Sequence, residues 1–263
     1  MKKSNLLNSL ILATLAAPGL AMAADASPHT FTSNIGLVSD YLYRGISQTG
    51  TKPALQGGFD YSHSSGLYLG VWGSNISWIS DGGLAANASL ELDTYAGFKS
   101  SFAQDFSYDV GFLRYNYPGQ YFDPIPAPYA KADTNEIYGA LGWKWLTVKY
   151  SYSLGDTFAL AEAKGTNYIE LNASYTLADA GVTLGAHVGK QTYKGTNADA
   201  LDAAGTTATY TDYKLSASKD FGGYVLGLAY SSTDAKTGAG QYYYIQGNDL
   251  GKGTAVLYLT HAM

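Results

Sequence analysis

The segment Leu146–Ser153, LTVKYSYS, alternates strictly between two kinds of side chain. One face carries Leu146, Val148, Tyr150 and Tyr152, and the other carries Thr147, Lys149, Ser151 and Ser153. Because successive side chains of a β-strand point to opposite sides, this pattern predicts a strand with one apolar and one polar face. Segments 166–175 and 181–190 repeat the same alternation.

Similar segments recur along the whole chain and predict twelve strands. Two are less regular: 67–74 has apolar residues on both faces, and the segment from Phe106 changes phase near Leu113. The prolines outside the first 23 residues all lie in the gaps, which supports an almost all-strand chain because proline cannot donate to a β ladder. The predicted strands are 30–44, 54–62, 67–74, 90–99, 106–117, 135–143, 146–153, 166–175, 181–190, 210–219, 224–231 and 254–263.

The gaps between these segments alternate between long and short. The first is 45–53, the second is 63–66, and the series continues to 220–223 and 232–253. This spacing predicts antiparallel neighbours with every long loop at one end, the layout of a transmembrane β-barrel with short periplasmic turns and long extracellular loops. The loop at 118–128 could fold inward or stand outside, and 197–208 could be a loop or a short helix.

Alternation alone does not decide which face is outside, and a soluble all-β barrel or sandwich is the alternative. A barrel of about twelve strands is too wide for an apolar interior to be filled by side chains. Aromatic residues also lie near the predicted strand ends, as in the two interfacial girdles of a membrane barrel. We therefore expect the apolar face to meet lipid. The predicted girdle residues are Tyr41, Tyr43, Phe59, Tyr61, Trp143, Tyr150, Tyr152, Tyr175, Tyr224 and Tyr230.

The N-terminus carries the features of a secretory signal peptide. Lys2 and Lys3 precede an apolar run, which ends in the A-x-A signature Ala21-Met22-Ala23. We expect cleavage after residue 23 and a single barrel domain at 24–263; an uncleaved membrane anchor is the alternative. Without Lys2 and Lys3, the chain has 14 basic and 21 acidic residues and a net charge of −7. This charge argues against nucleic acid as a partner.

The stretch DYLYRGISQTG, from Asp40 to Gly50, separates charge from aromatic rings with period two. We predict that Tyr41 and Tyr43 belong to the outer girdle, where a ring lies in lipid and its hydroxyl among head groups. Asp40 and Arg44 then face the lumen at the same height, and Gly45 begins the first external loop.

The polar face of the predicted barrel carries seven acidic and five basic residues. A hydrated lumen of this composition predicts a channel for small hydrophilic solutes that favours cations and neutral molecules. A plugged lumen, in which these charges pair with one another, is the alternative. The predicted luminal residues are Asn34, Asp40, Arg44, Gln56, Asp60, Glu91, Asp93, Lys99, Glu136, Lys144, Lys149, Glu170, Asn172, His187, Asp212 and Lys214.

Catalytic and metal-binding patterns are weak in this sequence. His187 is expected to face inward and has no evident serine partner, so we predict that the chain is not an enzyme. No His/Cys spacing indicates zinc, and Asn248 with Asp249 is more typical of a turn than of a calcium site. We predict no cofactor and no metal. Outer-membrane lipids and small hydrophilic solutes are the expected partners.

Two stretches resemble a known family. SDYLYRGISQTG, from Ser39, and PALQGGFDYSHSSGLYLGVWGSNISW, which ends at Trp78, are similar to the N-terminal signature of the TorF family of porins. Shorter similarities continue at Tyr115–Gly119, Ala186–Lys190 and Thr211–Phe221. The resemblance implies a Gram-negative outer-membrane porin. It implies no particular solute.

Overall fold

The computed structural model describes residues 27–263, and its main feature is one closed, antiparallel barrel of twelve strands. The predicted signal peptide, 1–23, lies outside the described residues. The barrel strands are β1 (His29–Val38), β2 (Ala54–His63), β3 (Leu67–Asn75), β4 (Leu90–Phe102), β5 (Phe106–Asn116), β6 (Thr134–Trp143), β7 (Leu146–Ser153), β8 (Asn167–Leu177), β9 (Val182–Thr192), β10 (Tyr210–Asp220), β11 (Tyr224–Thr233) and β12 (Thr254–Ala262).

Each strand pairs with its neighbours in sequence, and β1 closes the ring by pairing with β12. In that closing pair Asn34 lies opposite Ala262, and Val38 lies opposite Tyr258. On its other side β1 pairs with β2 over its whole length. Closure leaves the sheet without an unpaired edge, so the ladders satisfy the backbone hydrogen bonds of every strand. The predicted fold class and strand number are confirmed.

The connections alternate in length as predicted. Five tight turns join strands at one end, which we call the short-turn end; six connections of more than ten residues lie at the other, the long-loop end. Strand β1 begins and strand β12 ends at the short-turn end, because the number of strands is even. Among residues 27–263, no helix is long and apolar enough to cross a membrane.

The two faces of the barrel wall differ sharply in composition. Large apolar side chains such as Ile137, Leu141 and Val148 are exposed on the outside. Polar side chains alternate with them and point inward. The predicted phase change near Leu113 is wrong, because β5 keeps one phase along its whole length. Leu113 and Tyr115 point inward although they are apolar, because they reach the packed loops at the long-loop end.

Tyrosines line the inner wall beside glycines of the adjacent strand. Gly97 is paired with Tyr68, and Gly111 with Tyr138. A Cβ atom at Gly111 would lie 2.5 Å from the Tyr138 hydroxyl oxygen, so the ring needs the space that glycine leaves. Each such pair lets a large ring lie against the wall rather than across the lumen. The same arrangement joins Tyr95 to Gly70, Tyr168 to Gly189 and Tyr258 to Gly227.

The long loops pack together over their end of the barrel. A buried cluster there includes Trp72, Ile79, Leu84, Tyr117 and Ala159, which come from the wall and from three different loops. The 118–128 loop lies against this cluster through Tyr121 and Ile125. The elements of the loops are helices α1 (Trp78–Asp81) and α2 (Thr196–Ala203) and three short ladders: Leu42–Tyr43 with Ile46–Ser47, Ala85–Asn87 with Gln120–Tyr121, and Tyr244–Ile245 with Asn248–Asp249.

The tyrosine–glycine pairs predict the outcome of two glycine substitutions. Gly97→Ala should lower the free energy of unfolding by about 1–3 kcal/mol, because the new methyl group would lie 2.5 Å from the Tyr68 ring and 2.6 Å from the Val110 carbonyl oxygen. Gly139→Ala is the matched control: it faces outward, where the nearest atom is 4.0 Å away. It should leave stability unchanged or raise it slightly. Urea unfolding in detergent micelles measures the free energy of unfolding of both variants. Equal losses would contradict the packing argument.

Candidate functional site

A loop hairpin, which we call the strap (residues 39–50), crosses the barrel interior near the long-loop end. The chain leaves β1 and turns back at Arg44 and Gly45, both with positive φ (47° and 77°). Gly45 lies against the wall at β10 and β11, where an added Cβ would be 2.6 Å from Thr233 and 2.8 Å from Asp212. Only glycine fits this approach. The Ser47 backbone N–H then donates to the Leu250 carbonyl at 2.9 Å, which fixes the strap to another loop.

Arg44 carries the contact between the strap and the opposite wall. Its guanidinium donates to both carboxylate oxygens of Glu136 on β6, at 3.1 and 2.8 Å, and to the Gln191 side-chain oxygen on β9 at 2.6 Å. A two-pronged pair of this kind fixes orientation as well as distance. Burial lowers the pKa of Arg44, but Glu136, Tyr43 and Tyr115 together outweigh burial and hold the pKa above its usual value.

Aromatic rings enclose the same guanidinium. Its central carbon lies 4.3 Å from the ring centre of Tyr168, 4.9 Å from Tyr43 and 5.7 Å from Phe158. Rings stacked on a guanidinium attract it through their π faces. The strap charge is therefore held by one carboxylate, one amide and three rings.

Asp40 anchors the base of the strap. Ser47 donates a hydrogen bond from its hydroxyl to the Asp40 carboxylate at 2.7 Å, and the Thr51 backbone N–H donates to the Ser47 hydroxyl at 2.9 Å. Burial raises the pKa of Asp40, and the hydroxyl donors oppose that rise in part. This local network keeps the hairpin closed on itself.

A second network lies on β8, β9 and β10, centred on His187. Its Nε2 is 2.8 Å from an Asp212 carboxylate oxygen, and its Nδ1 is 2.6 Å from the Asn172 amide oxygen. Both ring nitrogens therefore have a hydrogen-bond partner within the barrel. Asn172 donates to Glu170 at 2.8 Å, and Tyr168 donates to Asp212 at 2.8 Å. Because Tyr168 also lies on Arg44, this network touches the strap.

A third group of carboxylates lies on β4 beside the strap. Glu91 accepts a hydrogen bond from the Tyr41 hydroxyl at 3.1 Å. Asp93, two residues along the same face, is 0% exposed and has no hydrogen-bond partner among residues 27–263. Its neighbours across the strands are Trp72 and Tyr115. The interior at this level is filled by side chains.

Nearer the short-turn end, the interior is less crowded. The Tyr95 hydroxyl donates to Asp60 at 2.5 Å, and the Tyr68 hydroxyl donates to Asp109 at 2.6 Å. The Lys149 ammonium lies 4.2 Å from the Tyr138 ring centre. These side chains are partly exposed apart from Asp109, which is buried, so water reaches this part of the wall.

The structure places the predicted residues as follows. The predicted luminal position of Lys144 is wrong. Lys144 lies in a short turn outside the interior, where its ammonium is 3.8 Å from Asp105. The residues of the predicted luminal set that lie on the inner face or in the strap are Asn34, Asp40, Arg44, Gln56, Asp60, Glu91, Asp93, Lys99, Glu136, Lys149, Glu170, Asn172, His187, Asp212 and Lys214.

Two residues predicted for the outer girdle lie inside the barrel instead, so their predicted placement is wrong. Tyr41 is 4% exposed, and Tyr43 shares a 2.5 Å hydrogen bond with Tyr115 inside the barrel. The reason is that β1 ends at Val38, so the period-two rule no longer applies to the strap. The other predicted girdle residues lie on the outer face, and their role at a membrane interface stays a prediction: Phe59, Tyr61, Trp143, Tyr150, Tyr152, Tyr175, Tyr224 and Tyr230.

Sequence reasoning missed Asp109 and the inward tyrosines. Asp109 alternates with Ser107 and Gly111 on β5, so the strand phase could have placed it. The same rule could have placed Tyr95 and Tyr138, which share a phase with Asp93 and Glu136. Tyr68 gave no such signal, because its segment has apolar residues on both faces. Within residues 27–263, no group of three or more histidine, cysteine, aspartate or glutamate side chains could hold a metal ion.

These features define an all-β, closed-barrel protein with an apolar outer face and a charged interior that a strap crosses. The chain belongs to the family described as "Bacterial protein of unknown function (Gcw_chp)", whose model matches residues 22–263. No curated protein matches its sequence.

Several solved structures resemble this barrel at low sequence identity. One, from work on the in-meso crystallization of membrane proteins, is 9% identical with a TM-score of 0.46, over 89% of this chain and 83% of that one. OccK5 (OpdH) of Pseudomonas aeruginosa is 12% identical with a TM-score of 0.43, over 91% and 68%. OccAB3 of Acinetobacter baumannii is 11% identical with a TM-score of 0.43, over 91% and 65%.

Removal of the Arg44 side chain tests how much the contact between the strap and the wall contributes to the free energy of unfolding. Arg44→Ala should lower the free energy of unfolding by about 3–5 kcal/mol, because it leaves Glu136, which is 1% exposed, without its cation. Arg114→Ala is the matched control, since Arg114 makes a 3.1 Å ion pair with Asp133 but its side chain is 40% exposed. That change should cost less than about 1 kcal/mol. Urea unfolding monitored by tryptophan fluorescence compares them, and similar costs would contradict the assigned role of Arg44.

Proposed function

We propose that this chain is an outer-membrane barrel. Its exposed band of leucine, isoleucine, valine and phenylalanine would lie in lipid, and its aromatic outer residues at the two interfaces. The long-loop end would then face the cell exterior, and the short-turn end the periplasm. The predicted signal peptide, which would export the chain, is consistent with this location.

Within that barrel we propose porin-like passive diffusion of small hydrophilic solutes. The observation that carries the proposal is the charged inner wall, which continues from the strap to the short-turn end. The resemblance to the TorF family of porins supports the same function. It implies no solute and no catalytic role.

The inner wall favours cations and neutral solutes over anions. With Asp109 added and Lys144 removed, eight acidic residues face four basic ones, an excess of four carboxylates when histidine is neutral. A confined negative field attracts cations and repels anions. The acidic residues are Asp40, Asp60, Glu91, Asp93, Asp109, Glu136, Glu170 and Asp212, and the basic ones are Arg44, Lys99, Lys149 and Lys214.

A second candidate, a plugged barrel with a structural or surface-binding role, is favoured by one observation. At the level of the strap, Glu91, Asp93 and Glu136 are at most 1% exposed, because Arg44 and the loop cluster fill the interior. In this conformation, solute passage requires displacement of the strap. The two candidates differ in whether that displacement occurs in the membrane.

Conductance in planar bilayers separates the two. The wild-type protein should open in discrete steps, with a reversal potential in a KCl gradient that favours potassium. Lys149→Gln, on the inner face, should increase that preference because it removes a luminal cation. Lys190→Gln, on the outer face of β9, should not change the preference for potassium. An anion preference would contradict the luminal charge assignment.

Conductance of the Arg44→Ala variant shows whether the strap limits solute passage. Larger steps than wild type would identify the strap as the constriction of a working channel. A silent wild-type protein together with a conducting variant would assign the plugged barrel. Silence of both, with correct insertion shown by protease protection, would overturn the channel proposal.

A further inference from the structure

Charged residues are distributed unevenly between the two faces of the barrel wall. Every aspartate and glutamate of the twelve barrel strands has the inward phase, whereas three cations, Arg114, Lys190 and Lys219, have the outward phase. Desolvation does not explain this bias, because acidic residues cost less than basic ones on the lipid face of a membrane barrel. An anionic surrounding explains it, since negatively charged lipids attract lysine and arginine near the membrane surface and repel carboxylates.

The three outward cations lie at the rims of the apolar band rather than in its middle. Arg114 is two residues before the end of β5, and Lys190 is two residues before the end of β9, so both are near the long-loop end. Lys219 is the last residue but one of β10, at the short-turn end. These are the heights at which the head groups of a membrane would meet the wall.

Arg114 belongs to a group of polar side chains on the outer face, which we call the rim cluster (Arg114, Asn116, Lys131, Asp133 and Asn135). Its guanidinium donates to the side-chain oxygens of Asn116 at 2.6 Å, Asn135 at 3.2 Å and Asp133 at 3.1 Å. The Asn116 amide group donates in turn to the Leu92 carbonyl at 2.8 Å, which fixes its orientation. The guanidinium is therefore held in place before any ligand binds.

The rim cluster keeps a positive charge and unused donors. The Lys131 ammonium lies 2.9 Å from the same Asp133 oxygen that Arg114 contacts, so two cations share one carboxylate and the net charge is +1. The other Asp133 oxygen accepts from the Tyr117 backbone N–H at 2.9 Å. Arginine has five N–H donors and lysine three, and the cluster uses three and one of them. Both side chains are exposed, so an anion with several oxygens can reach them.

An apolar strip lies on the outer face directly beneath the rim cluster. Phe112 and Ile137 are paired across β5 and β6, and each is one outward position closer to the middle of the wall than Arg114 and Asn135. Both are exposed. A free phosphate ion would contact the cations alone, and so would an acidic segment of another protein. A phosphorylated lipid satisfies both features, because its head group is anionic and its acyl chains are apolar.

We propose that the rim cluster binds a phosphate group of an outer-leaflet lipid, whose acyl chains lie against Phe112 and Ile137. Arg114 and Lys131 supply the charge-assisted hydrogen bonds to the phosphate oxygens. The inference rests on the proposed membrane location and goes beyond it, because it assigns one head-group chemistry to one place on the wall. Binding there does not involve the lumen.

Native mass spectrometry of the purified protein in a polyoxyethylene detergent tests the lipid chemistry. The probes are diphosphoryl lipid A, the same lipid without its two phosphates, inorganic phosphate and a hexaglutamate peptide. We expect saturable binding of diphosphoryl lipid A, at least 10-fold tighter than that of the dephosphorylated form. Equal binding of the two lipids would overturn the proposal. Phosphate or the peptide binding as tightly as diphosphoryl lipid A would overturn it too, in favour of a free anion or an acidic protein.

Matched variants locate the site. Lys131→Gln should weaken the binding of diphosphoryl lipid A about 5-fold, because it removes one cation at the membrane surface. Lys219→Gln makes the same change on the outer face at the short-turn end and should have no effect. Arg114→Gln should weaken binding about 10-fold, and Arg114→Lys should weaken it less because the charge is kept. Unchanged affinity in both Lys131→Gln and Arg114→Gln would remove the lipid from the rim cluster.

Asp133→Asn separates lipid binding from a structural role of the same contacts. This change keeps a side-chain oxygen for Arg114 but raises the net charge of the rim cluster from +1 to +2, so lipid A binding should tighten about 5-fold. A cluster that merely fastens the loop to the wall gives no such gain, and unchanged or weaker binding would contradict the proposal. Bilayer conductance in phosphatidylcholine reports on the channel separately. A protein that conducts but does not select phosphorylated lipid would overturn this inference alone.

Discussion

Closure of the backbone ladder is the constraint on which the rest of this structure depends. Once β1 pairs with β12, every strand has two partners, and the wall divides space into an inside and an outside. Period-two alternation then assigns each side chain to one of them. In this chain the apolar set faces out, and the charged set is brought together inside. Tight turns at one end leave all the long connections to fold over the other.

The interior of a twelve-stranded barrel is too wide for its wall residues to fill alone, and this chain fills it in two ways. Inward tyrosines lie over glycines of the neighbouring strand and carry hydroxyls to Asp60, Asp109 and Asp212. The strap brings Arg44 across to Glu136. A buried charge pair of this geometry contributes little net stability compared with apolar packing, but it fixes one arrangement. The strap and the His187 network meet at Tyr168, whose ring lies on Arg44 and whose hydroxyl donates to Asp212.

The sequence predicts the wall of this barrel well and its contents poorly. Strand number, gap pattern and the inward phase of Glu136, Lys149 and His187 follow from alternation, which holds wherever the ladder continues. Tyr41 and Tyr43 could not be placed in this way, because β1 ends before them and the hairpin turns inward. The packing of the long loops over the strap was equally out of reach, since it joins segments far apart in sequence. Asp109 was within reach, because its strand keeps its phase.

The orientation of the wall is the central claim, and two neighbouring residues of β10 test it most directly. Leu215 is 66% exposed on the outer face, Ser216 points inward, and the chain has no native cysteine, so each position can carry a single spin label. In lipid vesicles, oxygen, which concentrates in the bilayer, should relax the label at 215 more strongly, and a water-soluble nickel complex should relax the label at 216 more strongly. The reverse preference at both positions would show that the polar face meets lipid, and it would contradict the barrel orientation on which the proposed function rests.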